Sequence, residues 1–301
     1  MKMFAVKPRT LDQMQDFLCT LPALLLILLF TYYPILKLIQ ISFTNWNLLN
    51  DNYEYVGFKN WKWLFTGSGT KYLLNSLRVT FVFSAGSLFI TIFGGLVLAL
   101  IFNTATRGFS AMRAIVFMPK YIAMSSAAVI FLWILDTNNG VLNYFITRMG
   151  APRVDWLGNK HTAMIAVLFL TGWRDIGYGM MIYLAAIKSI PADYYEAASL
   201  DGATYWQQLF GITLPMLGPT TLFLFVTQFI ASMKVFQSID ILTGGGPYRS
   251  TEVFVFKIYQ YAMEDFRMDR ASVMALAFFV LLLIITVSTM KFSDRKINYD
   301  M

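Results

Sequence analysis

Long uninterrupted apolar runs dominate this chain, in place of the alternation that marks a strand or the stripe that marks a surface helix. A helix needs about 20 predominantly apolar residues to cross the hydrocarbon core of a bilayer. Six runs qualify: residues 17–39, 77–102, 114–135, 162–187, 212–235 and 271–290. The segments between them differ in kind. Residues 40–76 hold Trp46, Trp61 and Trp63, a residue type that favours the membrane interface. Residues 103–113 are a short link, and residues 136–161 are polar and turn-rich. Residues 188–211 read as an amphipathic helix. Residues 236–270 contain Thr243-Gly244-Gly245-Gly246-Pro247, and a short helix is expected over 251–263. The pattern predicts an all-α polytopic membrane protein with six transmembrane helices, framed by a polar segment 1–16 and a basic, unstructured tail 291–301.

Composition agrees. Of 301 residues, 57% are hydrophobic and 14% charged, too few charges to cover a soluble core. The net charge is +7, with the bases scattered, which suits loops facing anionic lipid and not nucleic acid. Cys19 and His161 are the single cysteine and histidine, so no internal disulfide, no cysteine-based metal site and no histidine cluster is encoded. His161 falls at a span boundary, where a surface position is expected. The first run contains Tyr32, Tyr33 and Pro34 and shows no small-residue cleavage site, so it is expected to be retained as a span. Six spans put both termini on one side. Basic residues are denser in the segments that lie inside when the N-terminus is inside, which places both termini in the cytoplasm.

Ionisable residues within spans are the default candidates for function. Lys120 follows Pro119 in the third run. Arg174 and Asp175 lie in the fourth, between Trp173 and Tyr178, and the flanking Gly172, Gly177 and Gly179 are expected to loosen that helix. Gln228 and Lys234 lie in the fifth. Aromatic faces with a few hydrogen-bonding groups suit sugar rings, so Lys120, Trp173, Arg174, Asp175, Tyr178, Gln228 and Lys234 are the candidate substrate pathway. The competing reading pairs Arg174 with another subunit and lets Lys120 and Lys234 reach the interface. Ser87, Thr91 and Gly95 recur every four residues and predict close helix–helix packing.

The segment 188–219 carries the most specific signal: Glu196-Ala197-Ala198, three residues, Gly202, nine residues, then Ile212, Leu214 and Pro215. Asp193, with Glu196 three residues on, reads as a helix cap. Ala197, Ala198 and Ala203 favour helix, Gly202 permits a backbone turn, and Pro215 suits the first turn of the next helix. A short helix, a turn and the start of a span can dock as a rigid knob into a groove on a soluble partner. The bland alternative is an amphipathic connection on the membrane surface.

This spacing resembles the cytoplasmic loop of binding-protein-dependent ABC importer permeases. Shorter patterns extend the resemblance along the chain: Val56-Gly57-Phe58-Lys59-Asn60-Trp61, then Gly140 to Asn143 with Gly150 and Trp156-Leu157, then Asp240 to Pro247 with Thr251 behind them. They are similar to the outer loops of the carbohydrate branch, in which maltose and glycerol-phosphate permeases fall, and to the first permease of a heterodimeric pair. The larger maltose permease has extra N-terminal spans and a periplasmic domain that this chain lacks, so maltose is not implied.

The resemblance implies an ABC type I importer architecture, with 17–290 as the permease domain, 188–211 as its coupling loop and cytoplasmic segments at 1–16 and 291–301. It implies alternating access driven by two separate ATPase subunits that hold ATP and magnesium, with no cofactor in this chain. It further implies a second permease, an extracytoplasmic solute-binding protein and residence in the cytoplasmic membrane. Glu196, Ala197, Ala198, Asp201, Gly202 and Ala203 would dock the ATPase, and Gly244, Gly245, Gly246 and Pro247 would lie near a binding-protein contact. A polyol or sugar phosphate such as glycerol 3-phosphate is the alternative solute.

The chain reads as a transport subunit and not as an enzyme. It has no phosphate-binding loop with the lysine and strand–helix setting that nucleotides require. A membrane enzyme would need converging acids, a Ser–His pair or metal ligands. An autonomous carrier often shows inverted repeats, and none is evident here.

Overall fold

The computed structural model describes residues 9–50, 52–104 and 106–294, which are helices and turns apart from one isolated bridge between Thr44 and Tyr55. Helix α1 runs over Arg9–Ile27, widens through a π turn at Leu28–Tyr32 and continues over Tyr33–Ser42. The widening stands just ahead of Pro34, which lacks an N–H and crowds the carbonyl four residues back. Helix α2 spans Lys59–Thr66. Helix α3 runs over Gly69–Leu88, a π turn at Phe89–Gly94, and Gly95–Ile101. Helix α4 spans Arg107–Phe117, α5 Met124–Ile134 and α6 Val141–Arg148. Helix α7, Ala163–Ser189, is the central element and packs against α3, α4, α5 and the later α10 and α11.

Helix α8 spans Ala192–Leu200. Helix α9 comprises Tyr205–Gln208, a π turn at Leu209–Thr213 ahead of Pro215, and Leu214–Met216. Helix α10 spans Gly218–Met233, α11 Gln237–Leu242, α12 Phe254–Tyr259 with a π turn at Gln260–Glu264, and α13 Met268–Asp294. The core falls into three buried groups: one around Phe83, Phe131, Leu170 and Phe256, one around Leu64, Met233, Phe254 and Met274, and one around Ala99, Met180, Tyr183 and Leu224.

Four helices are long and apolar enough to cross a membrane unaided: Asp16–Ser42, Gly69–Ile101, Ala163–Ser189 and Met268–Thr289. The third and fifth sequence runs are not straight. Arg107–Tyr121 and Met124–Ile134 meet at 104°, and Tyr205–Met216 and Gly218–Met233 meet at 55°, so the count reaches six when each bent pair is one span. Prolines mark both breaks. Pro119 sits in a 3₁₀ turn, Met118–Tyr121, followed by extended Ile122, and Pro219 opens α10 behind Gly218.

Several further expectations change. The glycines of α7 do not loosen it; the helix is unbroken over 27 residues. They admit neighbours instead: a Cβ on Gly177 would strike the Val116 carbonyl, and one on Gly179 the Thr91 carbonyl. The expected packing through Ser87, Thr91 and Gly95 is present, since all three are buried and Gly95 abuts the backbone of Gly179 and Met180. Asp193 does not cap α8. Pro191 is the N-cap and no side chain bonds there; Asp193 lies in the first turn, where its charge suits the helix dipole. Residues 188–211 are not one amphipathic helix but the short helix, turn and span entry that the motif spacing implied, with the capping box at Thr204 and Gln207 opening α9. The short helix expected from residue 251 starts at Phe254. Of the tail expected to be unstructured, 291–294 continue α13, and 295–301 lie outside the described residues, as do 1–8 of the N-terminal segment.

Candidate functional site

One cavity of about 490 Å³ lies between α3, α7, α10 and the α4–α5 break. The structure brings Lys120, Arg174, Asp175, Gln228 and Lys234 to its wall, from three separate stretches of sequence. The break at Pro119 makes this possible. It turns Lys120 inward, where its Nζ lies 2.8 Å from Oδ1 of Asp175 and 5.0 Å from the centre of the Tyr178 ring. It also frees the Ile122 carbonyl, which accepts a hydrogen bond from Nε of Arg174 at 3.3 Å. Irregular backbone within a bilayer persists where its polar groups find such partners or line a cavity. Nη1 of Arg174 stands 4.0 Å from Asp175.

Two pathway candidates sit elsewhere. Trp173 points away from the cavity, with its ring 5.3 Å from Phe131 and an exposed edge. Consecutive helix positions lie about 100° apart, so Trp173 cannot share the face of Arg174 and Asp175 fully. Tyr178 supports Lys120 from behind rather than lining the wall. Sequence reasoning missed Thr171, Ser232, Gln237 and Ser238 as lining residues, and took Ser87 for packing alone. Thr171 and Ser232 had a signal: they stand one turn from Asp175 and Gln228 on their helices. Gln237 and Ser238 had none, because α11 folds back from beyond the fifth apolar run.

The second candidate element is the knob formed by α8. It ends in a Schellman turn: Gly202 N–H donates to the Ser199 carbonyl at 3.1 Å, Ala203 N–H to the Ala198 carbonyl at 2.9 Å, and Gly202 adopts φ +77°. Glu196, Ala197, Asp201 and Gly202 are exposed, Ala198 and Ala203 half-buried, and Leu200 is 90% exposed at the tip. The base is fixed to α9. Tyr195 Oη and Thr213 Oγ1 lie 2.9 Å apart, and Nε2 of Gln208 donates to Ser199 Oγ at 3.0 Å. These four tethering residues were not singled out from sequence; the short pattern Thr204-x-x-Gln207 beside them was readable as a helix start.

The glycine-rich segment forms a loop between α11 and α12 at the other end of the molecule's central helix. Gly244 and Gly245 take φ +54° and +77°, and a Cβ on Gly245 would strike the Phe256 ring at 2.6 Å. Thr251 Oγ1 bonds the Gly246 carbonyl at 2.7 Å and pairs with Thr243 Oγ1 at 2.7 Å, which presents Tyr248 at 91% exposure. The other loop patterns are locks of the same kind. Asn60 donates to the carbonyls of Ser42 and Thr44 at 3.0 and 2.7 Å. Asn143 donates to Val154 O at 2.8 Å and accepts from Val154 N–H and Trp156 Nε1 at 3.1 and 3.3 Å. His161 is exposed, and no group of metal-ligating side chains converges among the described residues.

Residues 91–299 match the family model described as binding-protein-dependent transport system inner membrane component. The chain is 32% identical over 280 residues to the Bacillus subtilis (strain 168) protein called "Probable ABC transporter permease protein YurN", covering 92% of this chain and 94% of that one. It is 29% identical over 287 residues to the sn-glycerol-3-phosphate transport system permease protein UgpA of Yersinia pestis, covering 94% and 95%. Among solved structures, a chain of a bacterial ABC transporter involved in import of the acidic polysaccharide alginate superposes with a TM-score of 0.85 at 27% identity, covering 96% of this chain and 99% of that one.

Proposed function

The chain belongs to the family of binding-protein-dependent transport system inner membrane components, and from this premise we propose that it is the carbohydrate-conducting permease subunit of an ATP-driven importer. The observation that carries the reading is the cavity itself. Ionised and hydrogen-bonding side chains are gathered inside a molecule whose helices turn large apolar side chains outward. Such groups are costly within a bilayer unless they serve a polar pathway. Lys120, Arg174, Asp175, Gln228 and Lys234 are read as the pathway wall in this chain. The similarity to a polysaccharide importer and to a glycerol-phosphate permease supports a carbohydrate or close derivative as solute.

The knob at Glu196–Gly202 is read as the docking element for an ATPase subunit, with ATP and magnesium held on that partner. Its exposed apolar tip is rimmed by Asp193, Glu196 and Asp201, which suits a groove with an apolar floor and basic rim. The tethers from Tyr195 and Ser199 to α9 give a route for motion. A push on α8 moves Thr213, then the Leu217–Gly218 bend, then α10 with Gln228 and Lys234. In this arrangement 17–290 is the permease domain and 188–211 its coupling loop. The knob and both termini are cytoplasmic, and the loop Gly244–Pro247 faces an extracytoplasmic binding protein. A second permease completes the pathway.

The test is reconstitution of the chain with its co-purifying partners in ATP-loaded proteoliposomes. ATP-dependent sugar uptake that is lost on Gln228→Leu, with the complex still assembled, supports the reading. Uptake by this chain alone without ATP would overturn it.

A further inference from the structure

The cavity wall is electrically unbalanced. Lys120, Arg174 and Lys234 face a single carboxylate, Asp175, which leaves an excess of two positive charges. Asp175 is engaged by Lys120 at 2.8 Å and lies more distantly, at 4.0 Å, from Arg174. Arg174 uses Nε on the Ile122 carbonyl, and its remaining guanidinium N–H groups have no hydrogen-bond partner among the described residues. Lys234 caps the C-terminal end of α10 and has no ion pair among the described residues. Arg174, whose side chain is 22% exposed, is unfavourable as an unpaired cation unless an anion joins it, and a low-dielectric wall strengthens the attraction when one does; Lys234 is exposed and adds its charge at lower cost.

A second observation is independent of charge. The hydroxyls of Ser87 and Ser238 are buried, have no hydrogen-bond partner among the described residues, and belong to this same wall. A buried polar group without a partner costs free energy; both hydroxyls are closed off from the cavity as the side chains stand, and a rotation about χ1 is what would turn either one to a bond with whatever fills it. Gln228, also buried, adds an amide beside them.

We infer that the solute is an anionic carbohydrate: a polyhydroxylated body carrying a carboxylate or a phosphate. The anionic group meets Arg174 and Lys234, while the hydroxyl rim meets Ser87, Gln228 and Ser238. A planar guanidinium suits either oxyanion by paired hydrogen bonds. A neutral sugar would satisfy the hydroxyl side and leave the two cations uncompensated. This inference rests on the cavity being the solute route.

The experiment measures the shift in unfolding midpoint of the purified intact complex, without binding protein, against three probes: trigalacturonate, glycerol 3-phosphate and maltotriose. Inorganic phosphate at matched ionic strength is the control. At least one anionic probe is expected to act at a concentration about tenfold lower than maltotriose. Preference for trigalacturonate assigns a carboxylate, and preference for glycerol 3-phosphate assigns a phosphate. Arg174→Gln and Lys234→Gln should weaken the anionic probes about tenfold and move maltotriose by less than about twofold. Lys234 is exposed, so its variant is expected to fold. Maltotriose acting at equal or lower concentration, or inorganic phosphate acting as well as the sugar anions, overturns the inference. If filling the cavity with Ser87→Leu and Gln228→Leu alters no probe, the solute-route reading falls. If those variants weaken every probe without anion preference, only the anionic class falls.

Discussion

The Lys120 ammonium stands 2.8 Å from the Asp175 carboxylate, joining the broken α4–α5 turn to the middle of α7. The carboxylate side chain is 10% exposed, so Lys120 is its main compensation, and the Tyr178 ring flanks the cation from the other side. The pair fixes the bend that shapes the cavity. It also holds Asp175 away from full pairing with Arg174, which keeps that guanidinium available to the interior.

Removing one partner should therefore cost more than removing both. Asp175→Asn and Lys120→Met are each expected to lower the unfolding midpoint of the purified complex, because each strands a charge. Lys120 is about a third exposed, so solvent screens part of the effect, and a coupling of about 1–2 kcal/mol is expected in a double-mutant cycle. Additive single and double variants would show that the pair carries no interaction energy.

Gly202 closes the Schellman turn at φ +77° with open space where a Cβ would stand. The constraint is thus conformational and not steric. Gly202→Val should cost about 1–2 kcal/mol locally and misplace the tip of α8, while Gly202→Asn should be milder because asparagine enters this region more easily. Retention of the ATPase subunits through purification is the readout. Equal retention by the glycine, asparagine and valine forms would separate the turn from docking.

The Tyr195–Thr213 hydrogen bond, together with that from Gln208 to Ser199, ties α8 to α9, and in the proposed coupling route it passes motion of α8 on towards the cavity. Tyr195→Phe removes it at a cost of about 1 kcal/mol without altering the cavity wall. Solute transported per ATP hydrolysed should fall, with solute affinity unchanged. Thr213→Val should do the same, and the double variant should be no worse than either single one. A loss of solute affinity instead would place these residues in binding and not in coupling.

The apolar runs of α1, α3, α7 and α13 were legible because length and hydropathy are local properties, and so was the turn at Gly202, whose residue type fits a left-handed backbone. Direction was not legible. A hydropathy run counts residues across Pro119 without recording that the chain leaves the break at 104°, and this break turns Lys120 toward Asp175. The pathway candidates gathered by nearness in sequence included Trp173, which the helical rotation carries to another face. Ser238 reached the cavity through the return of α11, a tertiary event with no trace in the local pattern. Asp193 looked like a cap because its spacing to Glu196 was suitable, but Pro191 is the N-cap and leaves Asp193 two residues too deep, within the first turn.

Glu252 lies between α11 and α12, outside the membrane-crossing helices, and its side chain is 4% exposed. Oε2 is 3.5 Å from Lys257 Nζ and 3.8 Å from Arg249 Nε, while Oε1 has no partner among the described residues. Burial pushes this carboxyl above its ordinary 4.5, and the nearby Lys257 and Arg249 pull it back without cancelling the shift. The folded protein therefore keeps the proton at pH values where the unfolded chain has released it. The stability this contributes is fully present below about pH 4.5 and is lost as pH rises through the folded value. Glu252→Gln removes the titration. The wild-type unfolding midpoint minus that of the variant should thus fall as the pH is raised from about 4 to about 8. The protection factor for backbone hydrogen exchange over residues 249–257, with the intrinsic pH dependence of exchange divided out, should rise on acidification in the wild type only. A midpoint difference that stays flat with pH, or rises, would mean that the ion pairs outweigh burial at this carboxylate.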